Sequence, residues 1–326
     1  MSMRTSQLEL AGRRRLTDFR FVFRIVSLIF VIVAASIACV VAWTMMPALG
    51  VMLALPLVLA ALFDRSAFTA WALQGIVFLA FVVARVWADE TGIAWKGQYV
   101  ADWDAALLVG SNPTAVLQRI ARAEWVDVAA SWTYISFFVV PTLIAMGLWW
   151  RGKGFRDFVV ASAIVHAFAI ILHYLVPTIP PWMASAMGII EPIDRIFMDV
   201  MMPAAPQVLE AGYRASANDV AAMPSVHMAI TTIAALAAVR LGRVAGVFGW
   251  IYAAIMLFAI TYLGEHYIVD GIAGAAVAVI GWYIAPSVAN WIFSANPDRI
   301  SLPSRLPYPA SQIAKGRPLR RQEADA

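Results

Sequence analysis

Residues 244–263 read VAGVFGWIYAAIMLFAITYL, a run without one charged side chain. A helix of about 20 residues rises about 30 Å, which matches the hydrocarbon thickness of a bilayer. Of all 326 residues, 62% are hydrophobic and 13% are charged, which is about half the charged share of a soluble domain. This composition excludes a disordered chain and a conventional soluble enzyme, and the single cysteine excludes an intrachain disulfide. The sequence therefore predicts a membrane protein.

Apolar segments of similar length recur on both sides of that run. We expect eight of them, at 22–45, 48–63, 68–88, 129–150, 158–176, 224–240, 244–263 and 267–293. The second segment is short and contains Pro56, so a tilted or re-entrant path stays open as an alternative. The prediction is an all-α polytopic membrane bundle. Its single transmembrane domain covers 22–293, between a basic N-terminus (1–21) and a basic tail (294–326) that we expect to be flexible.

The basic residues are distributed unevenly between the loops. With both termini in the cytoplasm, 18 of the 24 Lys and Arg residues lie on the cytoplasmic side and 6 on the other. Cytoplasmic loops of membrane proteins carry such an excess. We therefore expect a multi-pass plasma (inner) membrane protein with cytoplasmic termini and two long outer loops, about 89–128 and 177–223. Six tryptophans on the outer side are interpreted as an aromatic belt: Trp87, Trp95, Trp103, Trp125, Trp132 and Trp182.

The first candidate site lies at the start of the sixth span. The stretch Pro224-Ser225-Val226-His227 is expected to open that helix, with the proline in its first turn. The free N–H groups and the positive end of the helix dipole favour phosphate there. Ser225 is therefore a candidate for substrate binding, and His227 lies beside this anion site.

The second candidate site separates the seventh and eighth spans. His266 and Asp270 are four residues apart, a spacing that places both on one face of a helix. A carboxylate on one ring nitrogen fixes the tautomer and leaves the other nitrogen nucleophilic. His227 and His266 map to the same membrane face although 39 residues separate them. This coincidence predicts a common site, whereas two histidines and one aspartate are weak grounds for zinc.

At these residues the chain resembles the type 2 phosphatidic acid phosphatase superfamily, in particular its branch of inositol phosphorylceramide synthases (inositolphosphotransferases). Residues 224–227 match the P-S-x-H motif of the superfamily, and His266 with Asp270 matches its H-x3-D motif. The stretch HYLVPTIPPWMA at 173–184 is similar to the proline–tryptophan segment of that branch. The resemblance covers roughly residues 100–290. It implies a six-helix phosphatase-type core, to which about two N-terminal hydrophobic segments are added.

The resemblance also implies a reaction. The chain would be a lipid-phosphate phosphatase or phosphotransferase at the exoplasmic face, using no metal and no organic cofactor. His266 would attack phosphorus to give a phosphohistidine, Asp270 would orient His266, and His227 would protonate the leaving oxygen. Water, or an alcohol or lipid acceptor, would then take the phosphoryl group. The expected partners are a lipid phosphate and the bilayer, not nucleic acid.

Two phosphate-binding motifs of the phosphatase branch are missing. Ala259 and Ile260 occupy the positions of a Ser-Arg pair, and no lysine lies between residues 154 and 314 to form the K-x6-R-P motif. These departures favour the synthase-like branch, and they require other groups to hold the phosphate.

A helix end offers about half a unit charge, which is too little to balance a phosphate dianion. We therefore expect a cation, with Arg214 preferred because it lies ten residues before Pro224. Arg195 and Arg85 are the other candidates, although headgroup snorkelling is the favoured interpretation of Arg85. His173, near the outer end of the fifth span, is a further substrate-binding candidate.

Two alternatives from other classes remain at this stage. A membrane transporter or lipid scramblase without phosphoester chemistry would have buried charges or broken helices near the midplane and halves related by a repeat. A structural membrane protein would tolerate replacement of its histidines. The clustering of ionisable groups at one membrane surface favours the enzyme.

The uneven distribution of basic residues makes a prediction about topology. A membrane-impermeant thiol reagent added to intact cells should label a cysteine placed at Asn218, because the second long loop faces outward. A cysteine placed at Ser304, in the basic tail, should stay unlabelled until the cells are opened. Reversed labelling would place the candidate site on the cytoplasmic face.

Overall fold

The computed structural model describes residues 47–88, 92–94, 96–204, 206 and 220–294. Several sequence features lie outside the described residues: the expected segment 22–45, the basic N-terminus, the basic tail from residue 295 onward, Trp95 and Arg214. Within the described part the chain is helical and contains no β-strand. The helices are α1 Pro47–Phe63, α2 Arg65–Val86, α3 Gln98–Ala106, α4 Pro113–Ala121, α5 Glu124–Ser136, α6 Val140–Arg151, α7 Phe155–Leu175, α8 Pro181–Ala186, α9 Ile196–Ala204, α10 Val226–Leu241, α11 Arg243–Tyr262 and α12 Ile268–Ser294.

Four of the described helices are long and apolar enough to cross a bilayer, namely α2, α7, α11 and α12. The pair α5 and α6 also qualifies when counted as one span bent by 44°, and α10 is a shorter apolar helix. These six units correspond to the expected segments from 68–88 to 267–293. They confirm the all-α polytopic bundle. Helix α1, which contains Pro56, corresponds to the expected segment 48–63.

The expected single segment 129–150 is instead two helices with a break at residues 137–139. Pro141 follows that break, and its ring nitrogen has no hydrogen to donate to the carbonyl four residues earlier. The helical ladder therefore stops at Ser136 and restarts at Val140. Phe137, within the break, and Tyr134, just before it, are aromatic residues that line the cavity described below.

Helix α10 lies at the centre of the bundle, where it packs on α6, α7, α11 and α12. Its buried face consists largely of alanine, including Ala229, Ala234 and Ala237. Small side chains let helix backbones approach closely in a membrane protein. Gly249 of α11 illustrates this, because a Cβ atom there would lie 3.0 Å from the Cα atom of Ala235.

The starts of α10 and α12 meet at one end of the bundle. The Ser225 N–H donates to the Asp270 carbonyl over 3.0 Å, which ties the two helix starts together. The segment before α10 is held in turn by Thr178, whose hydroxyl accepts from the Met223 N–H at 2.7 Å. Thr178 and the segment before α10 also exchange backbone hydrogen bonds, since the Ala222 N–H donates to the Thr178 carbonyl at 3.1 Å. The proline–tryptophan segment therefore braces both motif-bearing turns.

Two local expectations at these turns are wrong. Pro224 does not lie in the first turn of α10, because Ser225 is the N-cap and the helix begins at Val226. The Ser225 hydroxyl accepts from the Met228 N–H at 3.3 Å, as serine caps do. His266 is not helical either, since Gly264 turns the chain at φ 78° and α12 begins only at Ile268.

The junction between α10 and α12 depends on Gly274. A Cβ atom at this position would collide with the Ser225 carbonyl oxygen, a backbone atom that cannot swing away. Gly274→Ala should therefore destabilise the protein by about 1–3 kcal/mol and lower its melting temperature in detergent. Gly75→Ala in α2 is the matched control, because a Cβ atom there meets nothing within 4 Å. Equal melting temperatures for the two variants would contradict the close packing inferred here.

Candidate active site

A cavity of about 260 Å³ opens at the end of the bundle where α10 and α12 begin and where α2 and α7 end. Its wall is mostly apolar and aromatic, with a few polar groups, which is the usual character of a ligand pocket. The lining residues are Phe78, Phe81, Val82, Arg85, Tyr134, Phe137, Phe138, His173, Pro180, Trp182, Arg195, Ala221, Ala222, Val226, His227, Glu265 and His266.

The two motif histidines face each other across this cavity. The ring centroids of His227 and His266 lie 5.7 Å apart. His227, on the first turn of α10, stacks on Tyr134 with centroids 4.1 Å apart and contacts Phe137 at 4.5 Å. The aromatic pair beside the α5–α6 break therefore fixes the plane of the His227 ring.

His266 is held by its backbone and by one ring nitrogen. Its N–H donates to the Ile260 carbonyl at 3.0 Å, which anchors the loop to the end of α11. Its Nδ1 lies 3.1 Å from the Ala222 carbonyl oxygen and 3.6 Å from Oδ2 of Asp270. Both neighbours are acceptors, so Nδ1 carries the proton and Nε2 keeps a free lone pair.

Among the described residues, the Ala222 carbonyl is thus the nearest hydrogen-bond partner of the His266 ring. No sequence motif indicates this contact. Asp270 lies beyond normal hydrogen-bond length from the ring. Its side chain is completely buried, and Oδ2 accepts from the Tyr267 N–H at 2.9 Å. The Asp270 carboxyl group therefore both caps the start of α12 and lies behind the His266 ring.

Two further sequence candidates lie beside the histidines. His173, 1% exposed, lines the cavity, and its Nε2 lies 3.3 Å from the Pro224 carbonyl oxygen. The Ser225 side chain is fully buried, and its hydroxyl is used in the helix cap. Ser225 consequently shapes the turn before His227, and the N–H groups of Val226 and His227 have no carbonyl four residues back within the helix.

Two arginines line the cavity. Arg195 binds Glu265 through Nε at 2.9 Å and Nη2 at 3.4 Å, and its guanidinium lies 3.9 Å from the centre of the Trp182 ring. Arg85, at the end of α2, borders the same space rather than only the headgroups. Arg214, the preferred cation in the sequence, lies outside the described residues.

The interpretation of Trp182 as part of the aromatic belt is wrong. Trp182 lines the cavity and supports Arg195, whereas Trp87, Trp103, Trp125 and Trp132 are exposed, as a belt requires. Glu265 was not a sequence candidate, although its position directly before His266 could have revealed it.

The fold and this cavity define a polytopic helical membrane protein with paired histidines at one end of its bundle. The chain belongs to the PAP2 superfamily, whose model matches residues 98–284. All three residues predicted to be catalytic fall within that match.

A curated relative provides a second comparison. Over 175 residues the chain is 30% identical to the phosphoinositol dihydroceramide synthase of Bacteroides thetaiotaomicron. The alignment covers 48% of this chain and 54% of that protein, so the chain spans about half the length of this relative. No solved structure matches the chain.

The cavity arginines make a prediction about anion binding. Arg85→Ala and Arg195→Ala should each weaken binding of vanadate, a phosphate analogue, by about tenfold or more, because a hydrogen bond to a charged group contributes about 1.5–3 kcal/mol. The measurement is the vanadate concentration that gives the half-maximal rise in melting temperature. Arg119→Ala is the control, since Arg119 only pairs with Glu191 on the surface. Equal affinities for all three variants would contradict a phosphate site at this cavity.

Proposed function

We propose that this chain is an integral membrane lipid-phosphate phosphatase or phosphotransferase of the inositol phosphorylceramide synthase-like type. It acts at the exoplasmic face through His227, His266 and Asp270. The observation that carries the proposal is the pair of imidazoles 5.7 Å apart in one cavity, contributed by turns far apart in the sequence. Membership in the PAP2 superfamily and the likeness to a phosphoinositol dihydroceramide synthase support it.

The first step uses the free lone pair of His266. Because the Ala222 carbonyl lies 3.1 Å from Nδ1, the Nε2 atom attacks phosphorus as the unprotonated nitrogen. The N–P bond forms as the P–O bond to the leaving group breaks. Asp270 stabilises the positive charge that develops on the ring. The product is a phosphohistidine.

His227 supplies and recovers the proton. As an imidazolium it protonates the leaving oxygen, and as a neutral base it then takes a proton from the incoming water or alcohol. The second attack breaks the N–P bond and returns the electron pair to Nε2 of His266. Tyr134 and Phe137 hold the His227 ring in place, so one side chain serves both steps.

Several groups hold the phosphate between the two histidines. The free N–H groups at the start of α10 provide backbone donors, and Ser225 fixes their direction by capping the helix. Arg85 adds the positive charge that a helix end lacks, and Arg195, paired with Glu265, adds guanidinium N–H donors. His173 completes the wall on the α7 side. Arg214, ten residues before Pro224 in the sequence, remains a candidate cation.

The shape of the cavity favours a lipid substrate. Phe78, Phe81 and Val82 of α2 form an apolar wall beside the charged end of the pocket. A phosphate ester bound at the histidines would direct its chain along this wall. The excess of basic residues in the predicted cytoplasmic segments supports an outward-facing site. A transporter is less favoured, because the ionisable groups of this cavity lie at one end of the bundle.

Replacement of the nucleophile tests this proposal. His266→Ala should abolish turnover of lipid phosphoesters, because no other nucleophile occupies its place. Asp270→Asn should slow the reaction by about 10–100-fold. This is less than the ~10⁴ loss where an aspartate alone orients the catalytic histidine, since the Ala222 carbonyl still holds Nδ1. Purified protein is incubated with a panel of lipid phosphates, with and without alcohol acceptors, and free phosphate is compared with transferred product.

His166→Gln is the control for removal of a buried histidine, because His166 does not line the cavity. Its ring hydrogen-bonds the Ser162 carbonyl of its own helix and packs on Phe78 and Phe81 from outside the cavity. This variant should keep its activity. His227→Ala should lose most activity on esters with poor leaving groups and less on activated esters. Wild-type turnover by His266→Ala would refute the mechanism.

A further inference from the structure

Asp104 is a buried side chain beside the first turn of α12, the turn that carries Asp270. It lies in α3, outside the membrane-spanning helices, and its side chain is 0% exposed. Oδ1 accepts from the Val269 N–H at 3.1 Å, although 165 residues separate the two positions. Asp104 therefore holds the first turn of α12 from outside, while Asp270 holds the same turn from within.

Three buried oxygen atoms around this turn have no hydrogen-bond partner among the described residues. They are Oδ2 of Asp104, Oδ1 of Asp270 and the hydroxyl of Tyr267. Burying an unpaired polar atom costs free energy, so three such atoms around one turn make that turn a candidate functional feature. Helix α3 packs its Val100 and Ala101 against Tyr267, which encloses the group.

The charges in this group are unbalanced. Asp270 and Tyr267 are the titratable groups that face Asp104, and helix α8, which also packs on α3, contributes none. Burial, together with the neighbouring Asp270 charge, raises the pKa of Asp104 to about 7. Burial and the two carboxylates also raise the pKa of Tyr267, which therefore stays neutral. Asp104 therefore gains or loses a proton near neutral pH.

We propose that Asp104 is a positioning residue for the phosphoryl transfer: it fixes the turn that holds Asp270 behind His266, and its proton sets the charge behind that nucleophile. This inference rests on the proposed function. At low pH Asp104 is neutral and adds no charge beside the turn that carries Asp270. Once Asp104 ionises, its negative charge lies beside a turn whose site must accept a phosphate dianion. Anion binding and turnover therefore fall as the pH rises through about 7.

The two roles of Asp104 are separable by substitution. Asp104→Asn keeps an oxygen that accepts from the Val269 N–H, but it stays neutral at every pH. Asp104→Ala removes both the acceptor and the charge. Asn112→Ala is the matched control, because Asn112 is a buried cap of α4 that accepts from the Ala115 N–H at 3.0 Å and does not line the cavity.

Two kinds of measurement are made for each variant between about pH 6 and pH 8.5, a range that brackets the Asp104 pKa. The first is kcat and KM on the phosphoester that the wild type hydrolyses or transfers fastest. The second is the rise in melting temperature caused by vanadate, which requires no turnover. Ratios to the wild type at the same pH cancel the titration of vanadate and of the other protein groups.

We expect the ratio of Asp104→Asn to wild type to rise at least threefold from pH 6 to pH 8, in kcat and in vanadate affinity. Asp104→Ala should lower kcat about tenfold or more with little change in KM, as loss of a supporting residue does. Asn112→Ala should lower the melting temperature and leave kcat unchanged.

A ratio for Asp104→Asn that is flat across this range would overturn the inference, as would a kcat for Asp104→Ala equal to that of Asn112→Ala. Either result, with His266→Ala still inactive, would leave the proposed function intact. An active His266→Ala would instead refute the function itself.

Discussion

The hydrogen bond from the Ser225 N–H to the Asp270 carbonyl, 3.0 Å long, joins the two helix starts on which the site is built. It fixes His227, two residues past Ser225, relative to His266, four residues before Asp270. The bond requires the close approach of α10 and α12 that Gly274 permits. Substitutions in this junction would therefore change the distance between the histidines without touching either ring.

The position of the site follows from the cost of polar groups in a bilayer. Ionisable side chains are expensive in the hydrocarbon core, and helix starts offer free N–H groups that lipid cannot satisfy. When ionisable side chains and free helix-start N–H groups lie at the same end of the bundle, both are outside the hydrocarbon core and can bind the same anion. The arginine–glutamate pair at Arg195 and Glu265 and the stacking of Trp182 belong to the same arrangement, because they keep a cation beside the cavity. The carboxyl group of Asp270 lies 3.6 Å from the His266 ring, and Asp104 bonds the turn that carries Asp270.

The membrane spans and the two motif histidines were predictable from the sequence, because spanning helices need about 20 apolar residues and histidines are rare in such runs. The details of the turns were not. The spacing of His266 and Asp270 correctly predicted that the two side chains are neighbours. They are not on one helix face, however, because His266 precedes the capped start of α12. The Ala222 carbonyl, the Trp182 wall and the burial of Asp104 depend on how the loops fold back on the bundle, and side-chain patterns do not encode that path. Arg85 was interpreted as a snorkelling residue, because its position at the cavity is visible only once the helices are assembled.

Covalent phosphorylation of His266 is the step on which the proposed mechanism depends, and rapid chemical quench detects it. Wild-type protein mixed with a radiolabelled lipid phosphate is stopped with alkali within milliseconds, digested, and mapped by mass spectrometry. We expect a base-stable, acid-labile phosphoryl group on the peptide that contains His266. It should be absent from His266→Ala and should accumulate in His227→Ala when an activated ester is used. A label on His227, or a label that persists in His266→Ala, would contradict this mechanism.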